Sequence, residues 1–372
     1  MLNAQKVDLR LLDRNARLRS LQPCTGRDFS SNDYLGLAAA KRMRDAVAEA
    51  LARGVAVGSG GSRLLRGNHE EHEALEAEAA AYFGCESVLF FSSGFSANSA
   101  LLSTLPQRGD LVVYDVLIHA SAHDGMQHGR AEFIAAKHND SAAFEDAIAL
   151  WRREGGTGRA WIAVESLYSM DGDRAPLDDL LAVALRHEAI LLIDEAHATG
   201  VFGLGGRGLA AALDGRENVI TMRTCGKALG CEGALVCGPR IARDFLINRG
   251  RSFIFSTAPS PLMASAVRES LRILCDEPDR RERLSLLVKF AEDTLAPCGV
   301  EPTGSQILPL IIGDDARVIK MAGQLQARGF DVRAIRPPTV PKGTSRLRLS
   351  ITLNIDRADI VDLAVELGKI GC

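Results

Sequence analysis

A doubly wound, mostly parallel α/β sheet followed by a smaller C-terminal α+β domain is the fold class that the sequence predicts. Short apolar runs rich in β-branched and aromatic residues recur at 87–91 (SVLFF), 111–115 (LVVYD), 161–166 (WIAVES), 189–194 (AILLID) and 218–223 (NVITMR). Helix-length segments separate most of these runs, and that alternation argues for parallel strands covered on both faces. The pattern then changes over the last hundred residues, where helices and short strands of another kind follow.

The elements follow in chain order. Residues 38–53 and 69–83 (HEEHEALEAEAAAYF) have helical composition, and the glycine-rich GVAVGSGGSRLLRGN between them reads as a loop. The run at 87–91 leads through a glycine turn into a helix in FFSSGFSANSALL. The free N–H groups and positive dipole end of such a helix suit a phosphate, although an ordinary strand-to-helix turn has the same sequence. Near the carboxyl end, a helix at 315–328, strands at 331–335 and 346–353 and a helix from about 356 describe the α+β domain. The division expected is an amino-terminal segment at 1–37, a large domain at 38–265 and a small domain at 266–372.

With 44 Lys and Arg against 47 Asp and Glu, the net charge of -3 provides no basic footprint for nucleic acid or an anionic membrane. The opening MLNAQKVDLRLLDRN has no apolar core of a secretory signal, and the charge-free window 87–107 carries six serines, so a cytoplasmic protein is expected. Eight cysteines without a CxxC pair read as reduced thiols and small packing groups, with no metal expected.

The polar residues gather at strand ends. Ser93 and Gly94, His119, Ser169 and Lys227 each follow one of the five runs and Asp194 closes another, at the edge where ligands of doubly wound sheets bind. Asp194 and Lys227 are 33 residues apart, about one βαβ unit, so neighbouring strands can present them side by side. Lys227 sits among small residues between two runs that read as strands. A lysine desolvated there becomes a neutral amine able to attack carbonyls, whereas a snorkelling lysine on a loop is the plain alternative. The DEAH at 194–197 lacks any accompanying GxxxxGK[ST] loop, which removes a helicase reading. His119 and His123 lack the glutamate of HExxH, since Ala120 stands there. In RLRLSITL, alternation places Arg346, Arg348, Ser350 and Thr352 on one face, where a solvated strand face is the expectation for Arg346 and a carboxylate fork is open to Arg348.

Taken together, FSSNDYLGL, GSGGSRLLRG, SSGFSAN, YSMDGDRAPL, DEAHATGVFGLGGRG, TCGKALG, FSTAPSP and RPPTVPKGTSRLR stand in an order and spacing that resembles the α-oxoamine synthase family, pyridoxal 5'-phosphate (PLP) enzymes of fold type I. The resemblance implies a fold type I transferase in which Lys227 carries PLP through an imine and Asp194 pairs with the pyridine nitrogen. It implies that His197 bonds the ring's phenolic oxygen, that His119 stacks on the ring, and that Ser169, Thr224 and the amides of Gly94 and Phe95 bind the cofactor. Ser256 or Thr257 would reach the phosphate of a second subunit in a homodimer with interfacial active sites. Arg348 would grip the amino acid carboxylate, with Thr339 and Arg19 contacting the acyl substrate. The activity implied is decarboxylative condensation of L-alanine with a pimeloyl thioester carried by coenzyme A or acyl carrier protein. Condensation of glycine with acetyl-CoA is the runner-up within the family. The segment GKALGCEGA departs from the family pattern at Cys231 and Glu232.

Overall fold

The computed structural model describes residues 1–371. From the amino terminus come α1 (Asn3–Arg14), β1 (Arg27–Asp28), α2 (Lys41–Ala52), α3 (Glu70–Phe83), β2 (Ser87–Phe91) and α4 (Gly94–Thr104). There follow β3 (Leu111–Asp115), α5 (Ala120–His128), β4 (Glu132–Ala136), α6 (Ser141–Arg153), β5 (Ala160–Glu165), α7 (Leu177–Arg186) and β6 (Ile190–Asp194). Next are β7 (Val219–Thr224), β8 (Ala234–Gly238), α8 (Arg240–Arg249), α9 (Arg251–Ile254), α10 (Pro261–Asp276) and α11 (Asp279–Leu295). The chain closes with β9 (Ile307–Gly313), α12 (Asp315–Gln326), β10 (Phe330–Asp331), β11 (Arg333–Ile335), β12 (Ser345–Ser350) and α13 (Arg357–Lys369).

Two compact units result. One comprises residues 35–168 and 174–281, and the other comprises 1–34, 169–173 and the chain from 282 onward. In the larger unit seven strands form one sheet in the order β2-β8-β7-β6-β5-β3-β4. Neighbours from β7 to β4 pair in parallel, while β8 runs antiparallel to both β2 and β7. Continuous apolar runs form these strands because both faces are covered. Val112, Trp161, Leu192 and Ile220 pack with Leu101 and Leu102 of α4 and Met126 of α5. On the opposite face Val113, Ile162, Leu191 and Ile193 pack with Phe144 and Ile148 of α6 and Leu180 of α7. Each such side chain contributes about 1.5–3 kcal/mol when fully buried.

The expected domain boundaries are corrected. Residues 266–281 belong to the larger unit, because α10 lies against α2, where Glu269 pairs with Arg42 at 2.6 Å, and against α3. The amino-terminal segment is no separate piece. It pairs β1 with β10 in parallel, and Phe29 accepts the Ser350 amide at 2.8 Å while Tyr34 accepts that of Leu353 at 3.0 Å. Three strands escaped the sequence reading: the two-residue β1, β4, an edge strand exposed over four of its five residues, and β9, which pairs with β12 in the antiparallel sheet β11-β12-β9.

The expectation of a solvated face at Arg346 is also overturned. All six residues of β12 are buried, and Arg346 is 2% exposed. Its guanidinium is satisfied inside the same unit by Asp171 at 2.5 Å and the carbonyls of Met170 and Thr344. A charge this deep is tolerable because it is paired and hydrogen-bonded. Among the described residues, no helix is long and apolar enough to cross a membrane.

Candidate active site

The carboxyl ends of five parallel strands of the larger unit border one cavity of about 170 Å³. Gly94 and Phe95 follow β2, His119 follows β3, Glu165 ends β5, Asp194 ends β6, and Thr224 and Lys227 come from the end of β7 and the turn after it. The local sequence explains the placement. Ser93 caps α4 by accepting the Ser96 amide at 3.1 Å, so the helix begins at Gly94 and aims its first amides at the cavity rim.

Asp194 is 5% exposed, and its carboxylate is held from two sides. Its Oδ1 accepts from the Ala196 amide at 2.8 Å, and its Oδ2 accepts from Asn98 Nδ2 at 2.7 Å. Asn98 Nδ2 also donates to Ser121 Oγ at 3.0 Å, and Ser121 Oγ lies 2.8 Å from His119 Nδ1. Because His119 Nδ1 also accepts the Ser121 amide at 3.2 Å, the ring proton resides on Nε2. Burial, opposed by Asp194 and helped by Lys227 and His123, holds the His119 imidazole below its ordinary value and hence neutral.

Lys227 Nζ stands 2.6 Å from His197 Nε2. Two cations cannot share that separation in a partly buried site, so the pair carries at most one positive charge. Thr224 Oγ1 accepts the Gly226 amide and donates to the Gly233 carbonyl, both at 3.3 Å, which shapes the turn bearing Lys227.

The structure thus brings Lys227, Asp194, His197, His119, Thr224, Gly94 and Phe95 together around one space. Ser256 and Thr257 do not border it. They sit beside Arg63 and Phe90 in a segment fastened by Ala258 N to the Gly61 carbonyl at 2.9 Å and by His72 Nε2 to the Pro259 carbonyl at 2.8 Å. Ser169, Arg348, Thr339 and Arg19 belong to the smaller unit. There Arg348, 6% exposed, donates through Nε to the Ser169 carbonyl at 2.5 Å, through Nη1 to Ser350 and through Nη2 to Asn32 and Tyr34. Arg19 Nη2 donates to Thr339 Oγ1 at 3.0 Å.

Three polar lining residues, Asn98, Ser121 and Glu165, escaped the sequence reading, as did the apolar Ala196 and Met222. Asn98 lies four residues beyond Gly94, so one helical turn brings it to the face that borders the cavity, and that spacing was the available signal. Glu165 closes an apolar run, one residue before the end of WIAVES, and its register partner is Asp194.

The residues suit PLP. A cavity near 150 Å³ holds one six-membered ring, and here the wall offers an amine, a carboxylate and a helix amino terminus.

Residues 26–366 match the family model for aminotransferase class I and II. The chain is 42% identical over 370 residues to an 8-amino-7-oxononanoate synthase of Anaeromyxobacter dehalogenans strain 2CP-1, covering 95% of this chain and 92% of that one. It resembles in structure the serine palmitoyltransferase of S. paucimobilis with PLP and myriocin bound, at a TM-score of 0.89 and 27% identity, over 100% of this chain and 97% of that one. The 8-amino-7-oxononanoate synthase of Francisella tularensis superposes with a TM-score of 0.77 at 28% identity, over 92% and 96% of the two chains.

Proposed function

Because this chain belongs to the aminotransferase class I and II family, and within it to the 8-amino-7-oxononanoate synthases, we propose that it makes 8-amino-7-oxononanoate with PLP as cofactor. In this cytoplasmic reaction L-alanine and a pimeloyl thioester, carried by coenzyme A or acyl carrier protein, combine with release of the thiol and carbon dioxide. The observation that carries the reading is the Lys227 amine against His197, in one ring-sized space with the Asp194 carboxylate.

PLP, when bound, supplies an aldehyde carbon that captures primary amines and a pyridine ring that accepts the electron pair released at the amino acid Cα. Lys227 would hold that aldehyde, and its Nζ, once released by the incoming alanine amine, would be the base for the Cα proton. His197, whose Nε2 lies 2.6 Å from Nζ, would hydrogen-bond the phenolic oxygen of the ring. Asp194, steadied by Asn98 and Ala196, provides the fixed negative charge for the pyridine nitrogen. His119 lines the wall as a neutral ring with its proton on Nε2, and the first amides of α4 at Gly94 and Phe95 bind the phosphate. Thr224 and Ser169 complete the cofactor contacts.

Arg348 receives the alanine carboxylate. Four of its five N–H donors already have partners, so a two-pronged grip requires Ser350 or Asn32 to yield. Arg19 and Thr339, hydrogen-bonded to one another, contact the acyl group. The enzyme acts as a homodimer in which Ser256 or Thr257 reaches the partner's phosphate. Their position away from the Lys227 cavity of their own chain supports this.

Purified enzyme should consume L-alanine with pimeloyl thioesters in preference to glycine with acetyl-CoA. Lys227→Ala should lose both turnover and the visible absorbance of bound PLP. An active Lys227→Ala enzyme would refute the assignment, and preference for glycine with acetyl-CoA would move the chain to the neighbouring activity.

A further inference from the structure

Strands β6 and β7 deliver Asp194 and Lys227, yet their backbone pairing ends just where those residues appear. The last register pair is Asp194 with Met222, and the final backbone bond runs from the Glu195 amide to the Met222 carbonyl at 2.8 Å. One residue further on β7, Arg223 turns to the sheet face opposite the cavity, since its neighbours Met222 and Thr224 line the cavity and it does not.

Behind the site, Arg223 organises a cluster that is closed to solvent. Arg223 and Glu195 are both 0% exposed, with Arg223 Nη1 3.7 Å from Glu195 Oε2. Its Nη2 grips both oxygens of Asp214 at 2.7 and 2.9 Å, and its Nη1 donates to the Arg207 carbonyl. The guanidinium carbon lies 4.2 Å from the centre of the Phe83 ring. Glu195 Oε1 accepts the Ala210 amide at 2.7 Å. The chain makes room for this arrangement with Gly208, at φ +102°, where a Cβ would fall 1.6 Å from Glu195 Oε2. Burial pushes the carboxyls of Glu195 and Asp214 upward while Arg223 pulls both down.

Stability alone does not call for such a cluster, because well-packed apolar residues usually serve a buried position as well or better. Its location suggests another use. Glu195 is covalently next to Asp194, and Arg223 is four residues before Lys227. We propose that Arg223 is a positioning residue: by tying Glu195 to β7 beyond the end of the backbone ladder, it fixes the Asp194 carboxylate relative to Lys227. The role rests on the PLP reading above.

The test compares two variants with the wild-type holoenzyme. The first carries Arg223→Met, Glu195→Gln and Asp214→Asn together, which removes the charges without stranding one. The second is Arg223→Lys, which keeps a charge but cannot fork onto Asp214 and reach Arg207 at once. For each, the melting temperature, kcat, KM for alanine and the pH titration of the visible PLP band are measured. The neutral triple variant should melt near wild type, hold KM within about twofold and lose about 100-fold in kcat, the scale set by a misplacement of about 1 Å. Its PLP band should titrate at a displaced pH. Arg223→Lys should lose about 10-fold in kcat with the same split, and it decides the matter if the triple variant does not fold. A folded variant with wild-type kcat and an unmoved titration overturns the proposal while leaving the PLP reading intact. A wild-type protein without a PLP band overturns the parent reading and this role with it.

Discussion

Asn98 offers the sharpest probe of how the candidate site is held. Its side chain is 3% exposed and spends its amide on two neighbours, Asp194 Oδ2 at 2.7 Å and Ser121 Oγ at 3.0 Å. Asn98→Ala removes a hydrogen bond to a charged acceptor, worth about 1.5–3 kcal/mol. At 1.4 kcal/mol per factor of ten, apoenzyme should bind PLP about 10- to 150-fold more weakly, provided the loss falls on the cofactor-bound state. Asp194 would keep the Ala196 amide as a donor, and the link through Ser121 to His119 would loosen. Ser121→Ala is the matched control, since it spares the Asn98–Asp194 bond and should weaken PLP much less. Equilibrium dialysis of apoenzyme against PLP, read by visible absorbance, measures both. An Asn98→Ala protein that binds PLP within about twofold of wild type would refute the claim that this amide steadies Asp194.

Two further outcomes concern stability. Gly208→Ala should destabilise the protein by about 3 kcal/mol or more, because positive φ adds strain and the new methyl displaces a buried Glu195 oxygen; a denaturant midpoint equal to wild type would contradict it. His72, fully buried with Nε2 donating to the Pro259 carbonyl and Nδ1 accepting the His69 amide, is held below the ordinary histidine value chiefly by burial, with Arg63 and His69 adding to it and the Pro259 bond and Glu76 opposing. The folded state therefore binds fewer protons than the unfolded chain just below pH 6.5, so His72's contribution is present above that value and is lost on acidification. Denaturation at pH 7.5 and 5.5 should show a smaller acid loss in His72→Gln than in wild type, and equal losses would exclude His72 as the cause.

The strand ends were legible because the signal is local. An apolar run bounded by a glycine turn and a helix identifies a buried parallel strand without reference to anything distant, and the residue just past it is then at the ligand-binding edge. Gly94, His119, Asp194 and Lys227 were readable on that ground, and they line one cavity, whereas Ser169, read in the same way, belongs to the smaller unit. Legibility failed where the surroundings decide. The strand β4 is an exposed edge with little apolar pattern to read, and α10 carries no mark in its own sequence of which unit it joins. Alternation in β12 assigned Arg346 to a face correctly but could not reveal that Asp171, 175 residues earlier, makes that face interior.

What the sequence determined by itself is the set of parallel core strands and the edge at which Asp194 and Lys227 emerge on neighbouring strands, although a 3-10 turn at Leu204–Gly206 stands between those strands in place of the helix of a βαβ unit. Those properties follow from periodicity and chain length. The tertiary structure alone decided which groups stand around them: Asn98 against Asp194, His197 against Lys227, and Arg223 between Glu195 and Asp214. The physical reason is desolvation. Whether a polar side chain is free in water or must be paired depends on what segments remote in the chain bring against it, and no local pattern encodes that.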